Sequence, residues 1–337
     1  MAWQSHGIPI VVGITGHRDP RPQDLPVLRD LIRKELEKIR SVCPHSDLVL
    51  LDSVAAGGDS LCAEVGLALG YHLVCPLPLP EAEYRKDFSE SELRDFEHFL
   101  TVADSVFVAP ALEPDRQDRD FAYRQAGLYV ATHCHVLLAL YDGREPMPDG
   151  CGTAETVAFK RNGCRLDSVE LNSDPCAVIQ IVTPRVRNMV NPEISVRLLE
   201  NTPGQLEEIL KATDACNRDI TACPYRQVAD PLLPPDCLEN DRIKRLSDLY
   251  SEADGLSGFF QKRYMRVMRA FALTGVLLVL FFLLYDTGES NLFLLSYGLL
   301  ILFYFVAYLA VKRRNAHGKY LDYRLLAETA RVQVYLT

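Results

Sequence analysis

Residues 270–311 read AFALTGVLLVLFFLLYDTGESNLFLLSYGLLILFYFVAYLAV, and this stretch decides the class of the chain. It contains two uncharged segments, 270–285 and 292–311, joined by the short polar connection 286–291. At a helical rise of about 1.5 Å per residue, the second segment covers ~30 Å, the thickness of a hydrocarbon core. The first is shorter, but Arg266 and Arg269 can lay their stems on apolar surface and lift their charges to an interface, giving spans of 267–285 and 292–311. So short a link, with Gly288 in it, forces an antiparallel hairpin. The alternative, a pair of buried core helices, needs a large soluble partner to cover all-round apolar surface such as Leu277-Leu278-Val279-Leu280-Phe281-Phe282.

The flanks set an expected orientation. Lys262, Arg263, Arg266 and Arg269 precede the first span, and Lys312, Arg313, Arg314 and Lys319 follow the second, while the tip carries Asp286 and Glu289. By the positive-inside rule both termini lie in the cytoplasm, and the chain is expected to be a multi-pass protein of the inner, cytoplasmic membrane. Apart from Arg269 at the entry of the first, neither span contains an ionisable side chain of the acidic, basic or imidazole type, which argues against a proton relay or charged ion pathway. Thr274-Gly275 and Ser296 with Gly298 are small-residue patches; they suit close contacts within or between copies, or reflect the ordinary frequency of glycine in membrane helices.

Both spans continue into amphipathic helices. Upstream, Ile243, Leu246, Leu249, Tyr250, Ala253, Leu256 and Phe260 recur at helical spacing; downstream, Leu321, Leu325, Glu328, Val332 and Tyr335 share one strip. Arg324 and Glu328 add an i,i+4 pair. Two such helices leaving the membrane together are expected to pack as a cytoplasmic stalk.

The rest of the 337-residue chain excludes several classes. The net charge of the full chain is −9 and no basic block lies in the soluble part, so long nucleic acid is not an expected partner. A small anion held by backbone N–H groups remains compatible with that balance. Ten cysteines, none in a C-x-x-C pair, are scattered through apolar segments; Cys75 and Cys176 read as buried strand thiols in a reducing compartment. His133-Cys134-His135 invites a metal reading, but adjacent strand residues face opposite ways and cannot chelate together. The apolar run 8–14 lacks a basic leader and a cleavage site, so it reads as a first strand, not a signal peptide.

Up to about Arg185, short apolar runs alternate with amphipathic stretches. Strands are predicted at 8–14, 48–53, 72–75, 105–108, 136–141 and 177–182, with helices at 25–42, 60–69, 92–102, 120–133 and 153–160. That alternation predicts a Rossmann-like parallel sheet covered on both faces, with ligands outside the carboxyl ends of its strands. Residues 1–188 are assigned to this domain, 189–240 to an extension and linker with an edge strand near 195–199, a helix at 205–216 and prolines at 231, 234 and 235, and 241–337 to the membrane part.

Polar, glycine-rich turns fall at the predicted strand ends. They are Gly13-Ile14-Thr15-Gly16-His17-Arg18-Asp19, then Ala55-Ala56-Gly57-Gly58-Asp59-Ser60, then Tyr141-Asp142-Gly143 followed by Gly150-Cys151-Gly152-Thr153-Ala154-Glu155. Glycines let amides approach a phosphate, and a helix amino end adds about half a positive charge. Each turn has a plainer alternative: Asp59 or Thr153 caps its own helix, and Gly16 makes a turn. Three such turns on one sheet edge favour a shared phosphate site. Arg185 and Arg187 can reach a ligand phosphate, but read first as a solvated strand end.

These motifs carry a family resemblance. The ordered runs GITGHRD, AAGGDSLCAEVGLALG, PLPEAEYRKDF, FAYRQAG, LLALYDG and GCGTAE resemble the SLOG superfamily, Rossmann-like nucleotide binders related to the DNA-processing protein and the lonely-guy phosphoribohydrolases. The carboxyl part, from FFQKRYMRVMRAF to KYLDYRLLAETARVQVYL, resembles the two-transmembrane SLATT effector domain. Together they imply a bacterial antiviral effector that senses a nucleotide, or a cyclic or ADP-ribose-type messenger, and disrupts the bilayer on homo-oligomerisation, with no cofactor required.

The lonely-guy enzymes carry Pro-Gly-Gly-x-Gly-Thr-x-x-Glu with an arginine upstream. Pro148, Gly150, Gly152 and Thr153 match and Arg124 is suitably spaced, but Asp149 replaces a glycine and Thr156 stands at the catalytic glutamate position. Glu155, one residue early, is turned by about 100°. The resemblance therefore implies binding more than hydrolysis. Gly57, Gly58 and Thr153 are the expected phosphate contacts, Asp59 and Glu155 the ribose or base contacts, and His17, Arg18 and Arg124 the source of charge and orientation. A membrane-anchored N-glycosidase or ribosyltransferase using Glu155 and Arg124, and an anchored interaction module, are the two alternatives.

Overall fold

The computed structural model describes residues 7–110, 118–147, 150–163, 165–166, 169–170, 177–188, 190, 192–223, 232–233, 241–288, 291–314 and 316–336. They form two compact units, Met1–Arg218 and Asp219–Thr337. Pro148, Asp149, Cys176, Glu289 and the prolines at 231, 234 and 235 lie outside the described residues.

The first unit is α/β. Its strands are β1 (Ile10–Gly16), β2 (Leu48–Leu51), β3 (His72–Leu77), β4 (Ser105–Val108), β5 (Val136–Tyr141), β6 (Arg165–Leu166), β7 (Val169–Glu170), β8 (Val178–Val182) and β9 (Val196–Leu199). Apart from the β6–β7 ribbon they build one seven-stranded sheet in the order β4-β3-β2-β1-β5-β8-β9. All neighbours are parallel except β9, which runs antiparallel to β8 at the edge. Strand order reverses at β1, whose two neighbours are β2 and β5, with Val12 opposite Leu50 on one side and Val136 on the other. A crevice at the carboxyl ends of β1 and β5 follows from that reversal.

Helices cover both faces, which explains why the central strands are apolar throughout rather than alternating. On one face, α1 (Leu25–Val42) buries Leu28, Ile32, Leu36 and Ile39, a helical stripe whose members each contribute roughly 1.5–3 kcal/mol. α2 (Gly58–Ala68), the short α3 (Glu81–Tyr84) and α4 (Glu90–Val102) complete that face, with Cys62, Tyr84, Phe96 and Phe99 in the same core. On the other, α5 (Arg119–Thr132) and α6 (Thr153–Asn162) bring Val130 and Val157 against Leu137, Ala139 and Val178.

The unit extends past position 188. Val182 N donates to Ser195 O at 2.8 Å, which docks β9, and α7 (Gln205–Ala222) buries Leu206 and Leu210 in the main core. The Asn217 amide pairs with both backbone groups of Ile8, each at 2.8 Å, acting as a strand partner at the start of the sheet. Of the segment read as an extension, the part up to Arg218 is thus in the sheet unit, since long-range partners, not local pattern, decide where it belongs.

The second unit is helical: α8 (Asp241–Gly288), α9 (Asn291–Arg314) and α10 (Ala316–Leu336). α8 and α9 contain windows of mean hydropathy 2.4 and 2.2 with none of either window buried, long and apolar enough to cross a membrane. They run antiparallel, since Phe271 meets Tyr304 at 4.8 Å and Phe282 meets Tyr297 at 6.0 Å. α10 returns along the first half of α8, with Tyr264 against His317 at 4.6 Å and Asp254 bonded to Arg324 at 2.8 Å. This is the predicted pair of stalk helices. Its inner face is not the predicted one, however. Ala316, Tyr323, Ala327, Ala330 and Val334 are buried, whereas Leu321, Leu325, Val332 and Tyr335 are exposed. Small residues let the two backbones approach, and Tyr323 reaches the buried Asp219 carboxylate at 2.7 Å.

Candidate functional site

A cleft of about 690 Å³ opens at the carboxyl ends of β1, β2, β3, β5 and β8. The β1 turn supplies Thr15, Gly16, His17 and Arg18, the β5 turn supplies Asp142, and Gly150, Gly152, Thr153 and Glu155 come from the approach to α6 and its first turn. All these were expected from sequence. Among the other residues expected from sequence, Asp59 also lines the cleft, whereas Gly13, Gly57, Gly58, Ser60 and Arg124 do not.

The glycines that miss the cleft serve packing. A Cβ on Gly13 would sit 2.8 Å from Cys134 Sγ, so this glycine lets β1 lie close to the end of α5. Gly58 N donates to His17 O at 2.9 Å, and a Cβ on Gly58 would be 2.9 Å from Gly16 Cα. Gly57 has φ of +90° and presses on the Arg18 backbone. The AAGGDS turn therefore bonds to the β1 turn instead of offering its amides to a phosphate, which corrects the phosphate role expected for Gly57 and Gly58. Ser60 is likewise occupied, its Oγ donating to Ala55 O at 2.7 Å.

Beneath the β1 turn lies a buried acidic pair. Asp52 is wholly buried and accepts from Val54 N at 2.7 Å, an Asx turn that holds Val54 at φ +48°. A left-handed β-branched residue is strained, and strain of this kind is stored beside functional sites. Asp59 is 7% exposed, and neither its Oδ1 nor Oδ2 of Asp52 has a hydrogen-bond partner among the described residues. Burial pushes Asp59 up to about 7 against the opposing charge of Arg18, and burial together with the Asp59 charge lifts Asp52 well above the usual range. Of the two carboxyls, Asp59 lines the cleft wall.

Arg18 is held beside that wall by aromatic rings. Its guanidinium lies 5.6 Å over Tyr123 and 5.9 Å over Phe88, and Nη2 donates to the Tyr123 hydroxyl at 3.4 Å. The Tyr123 hydroxyl in turn donates to the Asp87 carboxylate. Tyr84, fully buried, and Tyr123 both line the cleft, giving this end flat apolar surface beside polar groups.

The opposite end is basic. Arg185 donates through Nε to Asp19 Oδ1 at 2.8 Å, Arg187 through Nε to Asp19 Oδ2 at 2.7 Å, and both arginines line the cleft together with Arg144. Burial and the neighbouring Arg185 charge lower the His17 pKa, so the imidazole is neutral at pH 7, with Nε2 3.3 Å from Asp142 Oδ1. Burial opposes the Asp142 charge, but hydrogen bonds from Asn188, the Arg144 amide and His17 outweigh it and hold the carboxyl below the usual range. Arg185, Arg187 and Asn188 were not among the expected site residues. The isolated bridge from Pro20 to Arg185 folds the end of β8 over the β1 turn, a long-range contact no local pattern announces.

At α6 the helix end is already occupied. Glu155 Oε2 accepts from Gly152 N at 3.2 Å, the N3 half of a capping arrangement, and a Cβ on Gly150 would lie 2.7 Å from the same oxygen. Glu155 is folded onto its own helix. Thr156, at the position of the enzymes' glutamate, lines the cleft with Oγ1 3.4 Å from Gly152 O. Arg124 stacks 5.6 Å over Phe159, away from the cleft, so the Glu155–Arg124 pair needed for hydrolysis is not assembled. Of the His133-Cys134-His135 run, His133 stacks on Tyr129, Cys134 is buried and His135 Nδ1 accepts from Val11 N at 3.0 Å, three different directions.

The molecule is thus an α/β unit with a switch-point cleft, followed by two helices of membrane-crossing length. No protein-family description matches the chain, and no curated protein matches it. Among solved structures, the X-ray structure of DNA processing protein A (DprA) from Streptococcus pneumoniae resembles part of it, at 13% identity over 39% of this chain and 41% of that one, with a TM-score of 0.26. The chain therefore spans about two fifths of that protein's length. A likeness so slight carries no argument, and the fold is stated from the strand order alone.

Proposed function

We propose that the chain is a SLOG-type nucleotide sensor fused to a SLATT-type membrane effector, acting in bacterial antiviral defence by permeabilising the inner membrane. The observation that carries this reading is the polarity of the cleft. Arg144, Arg185 and Arg187, with the α6 amino end once Glu155 is displaced from it, form an anionic-ligand side, and Tyr123 and Asp59 form a side suited to a base and its sugar. Phosphate contacts fall to these arginines and to Gly152 and Thr153. The ligand class is a nucleotide or a cyclic or ADP-ribose-type messenger; its binding favours a homo-oligomer whose spans perturb the bilayer. No cofactor is needed for that role, both termini lie in the cytoplasm, and long nucleic acid is not a partner.

The test is a thermal-shift screen of the full chain against nucleotides and dinucleotides, followed by dye release from vesicles containing it. A ligand at 100 times its Kd raises stability by about 2.7 kcal/mol. Dye release that depends on the same ligand supports the effector role; binding without release leaves an anchored sensor, and no shift with any of them removes the reading.

One observation favours an enzyme as second reading. A neutral imidazole beside an ionised carboxylate, His17 and Asp142, shares the cleft with Asp59, whose pKa burial raises to about 7, the separation that acid–base chemistry requires. Nucleobase or ribose release by purified protein decides for it.

A further inference from the structure

α10 carries two apolar strips, and only one of them is used. The strip of Ala316, Tyr323, Ala327, Ala330 and Val334 is buried, in part against α8. The second, Leu321, Leu325, Val332 and Tyr335, is 49%, 70%, 51% and 72% exposed. Tyr323 and Leu325 are two residues apart, about 200° around a helix, so the strips lie on opposite faces. With Glu328 included, the exposed strip advances by alternating steps of four and three residues, the a/d spacing of a coiled-coil seam.

We propose that this second strip is the surface through which two copies of the chain associate, as a parallel pair of α10 helices. Three features of the helix commit it to that occupant. The spacing matches another helix of the same register, which a second copy supplies. The positions flanking the seam on one side are His317, Arg324 and Arg331; an antiparallel pair would set Arg324 near Arg331 of the other copy, whereas a parallel pair sets His317 near Asp322. Parallel is also the only arrangement open to copies whose spans enter a bilayer from the same side. The inference rests on the membrane part of the proposed function, and not on the cleft.

Glu328 sets the strength and register of the seam. It stands at a core position of the strip, tied to Arg324 at 2.6 Å and to Arg331 at 2.5 Å. Two copies bring two carboxylates together at one layer, a polar core position that fixes register at a loss of stability. So short a seam needs the raised local concentration that confinement to a membrane supplies.

The experiment uses the full chain, labelled with donor or acceptor dye and reconstituted in vesicles of phosphatidylethanolamine and phosphatidylglycerol, with energy transfer followed against protein density. Leu325→Glu with Val332→Glu is expected to raise the density for half-association by about tenfold or more, and Glu328→Leu to lower it by a similar factor. Circular dichroism checks that both variants keep the helices. Loss with the double variant and gain with Glu328→Leu supports the seam even if no nucleotide binds and no dye escapes, outcomes that bear on the cleft alone. Association unchanged in Glu328→Leu, or weakened by it, overturns the proposal.

Discussion

The Glu155 carboxylate caps the amino end of α6 by accepting from Gly152 N at 3.2 Å, at the end assigned to a ligand phosphate in the proposed function. A helix end offers its free amides to one anion at a time. Any phosphate taking that place must displace the protein's own carboxylate. Glu155→Gln keeps an acceptor but removes the charge, and is expected to tighten nucleotide binding by roughly two- to fivefold, since one charge at a helix end is worth about 0.3–1 kcal/mol. Titration calorimetry on the full chain reads this directly; weaker binding would place the phosphate elsewhere.

Arg185 and Arg124 separate the structural assignment from the one suggested by sequence. Arg185 lines the cleft and is clamped by Asp19, whereas Arg124 lies over Phe159. Arg185→Ala is expected to weaken ligand binding by tenfold or more, on the order of the 1.5–3 kcal/mol of a charged hydrogen bond. Arg124→Ala should change it by less than about twofold while removing a cation–π contact of ~0.5–1 kcal/mol. Equal losses in both variants would undo the distinction.

The Asp52–Asp59 pair predicts a pH dependence with a definite sign. Both carboxyls have folded pKa values above their unfolded ones, so between the ordinary carboxylate range and about 7 the folded state holds more protons. Stability then falls as pH rises through that window, by up to about 1.4 kcal/mol per pH unit for one group. Asp59→Asn removes one such group and should flatten the profile, leaving the variant more stable than the parent at pH 8. Melting temperatures taken from pH 5 to pH 8 test it; a parent that gains stability over that range contradicts the buried pair.

Orientation in the membrane is open to labelling. A cysteine at Thr287, at the end of α8, is expected to react with an impermeant maleimide from outside intact cells, and one at Asp322, on α10, only after lysis. The reverse pattern would invert the proposed topology and take the cleft out of the cytoplasm.

Much of the architecture was legible because its signals are local. Apolar runs of strand length alternating with amphipathic helices gave β1 to β5 and β8 to within a few residues, and the uncharged spans stand out by length alone. Half of the site was legible for a similar reason: a ligand crevice lies at strand ends, and Thr15, Gly16, His17, Arg18 and Asp142 are the first polar residues there. The glycines misled because a glycine that lets an amide approach a phosphate has the same letter as one that lets two backbones touch. Gly58 and Gly16 are of the second kind.

By itself, then, the amino-acid sequence determined which segments become strands, helices and membrane-length spans, since hydrophobic period and length are properties of a segment alone. Only the tertiary structure decided which neighbours each segment meets. It bridged Pro20 to Arg185 and so brought Arg185 and Arg187 into the cleft, turned Arg124 onto Phe159, and chose the alanine face of α10 over its leucine face for the contact with α8. Those choices depend on close approach between residues far apart in the chain, where the volume of a side chain and the single hydrogen-bond partner within reach outweigh any local preference.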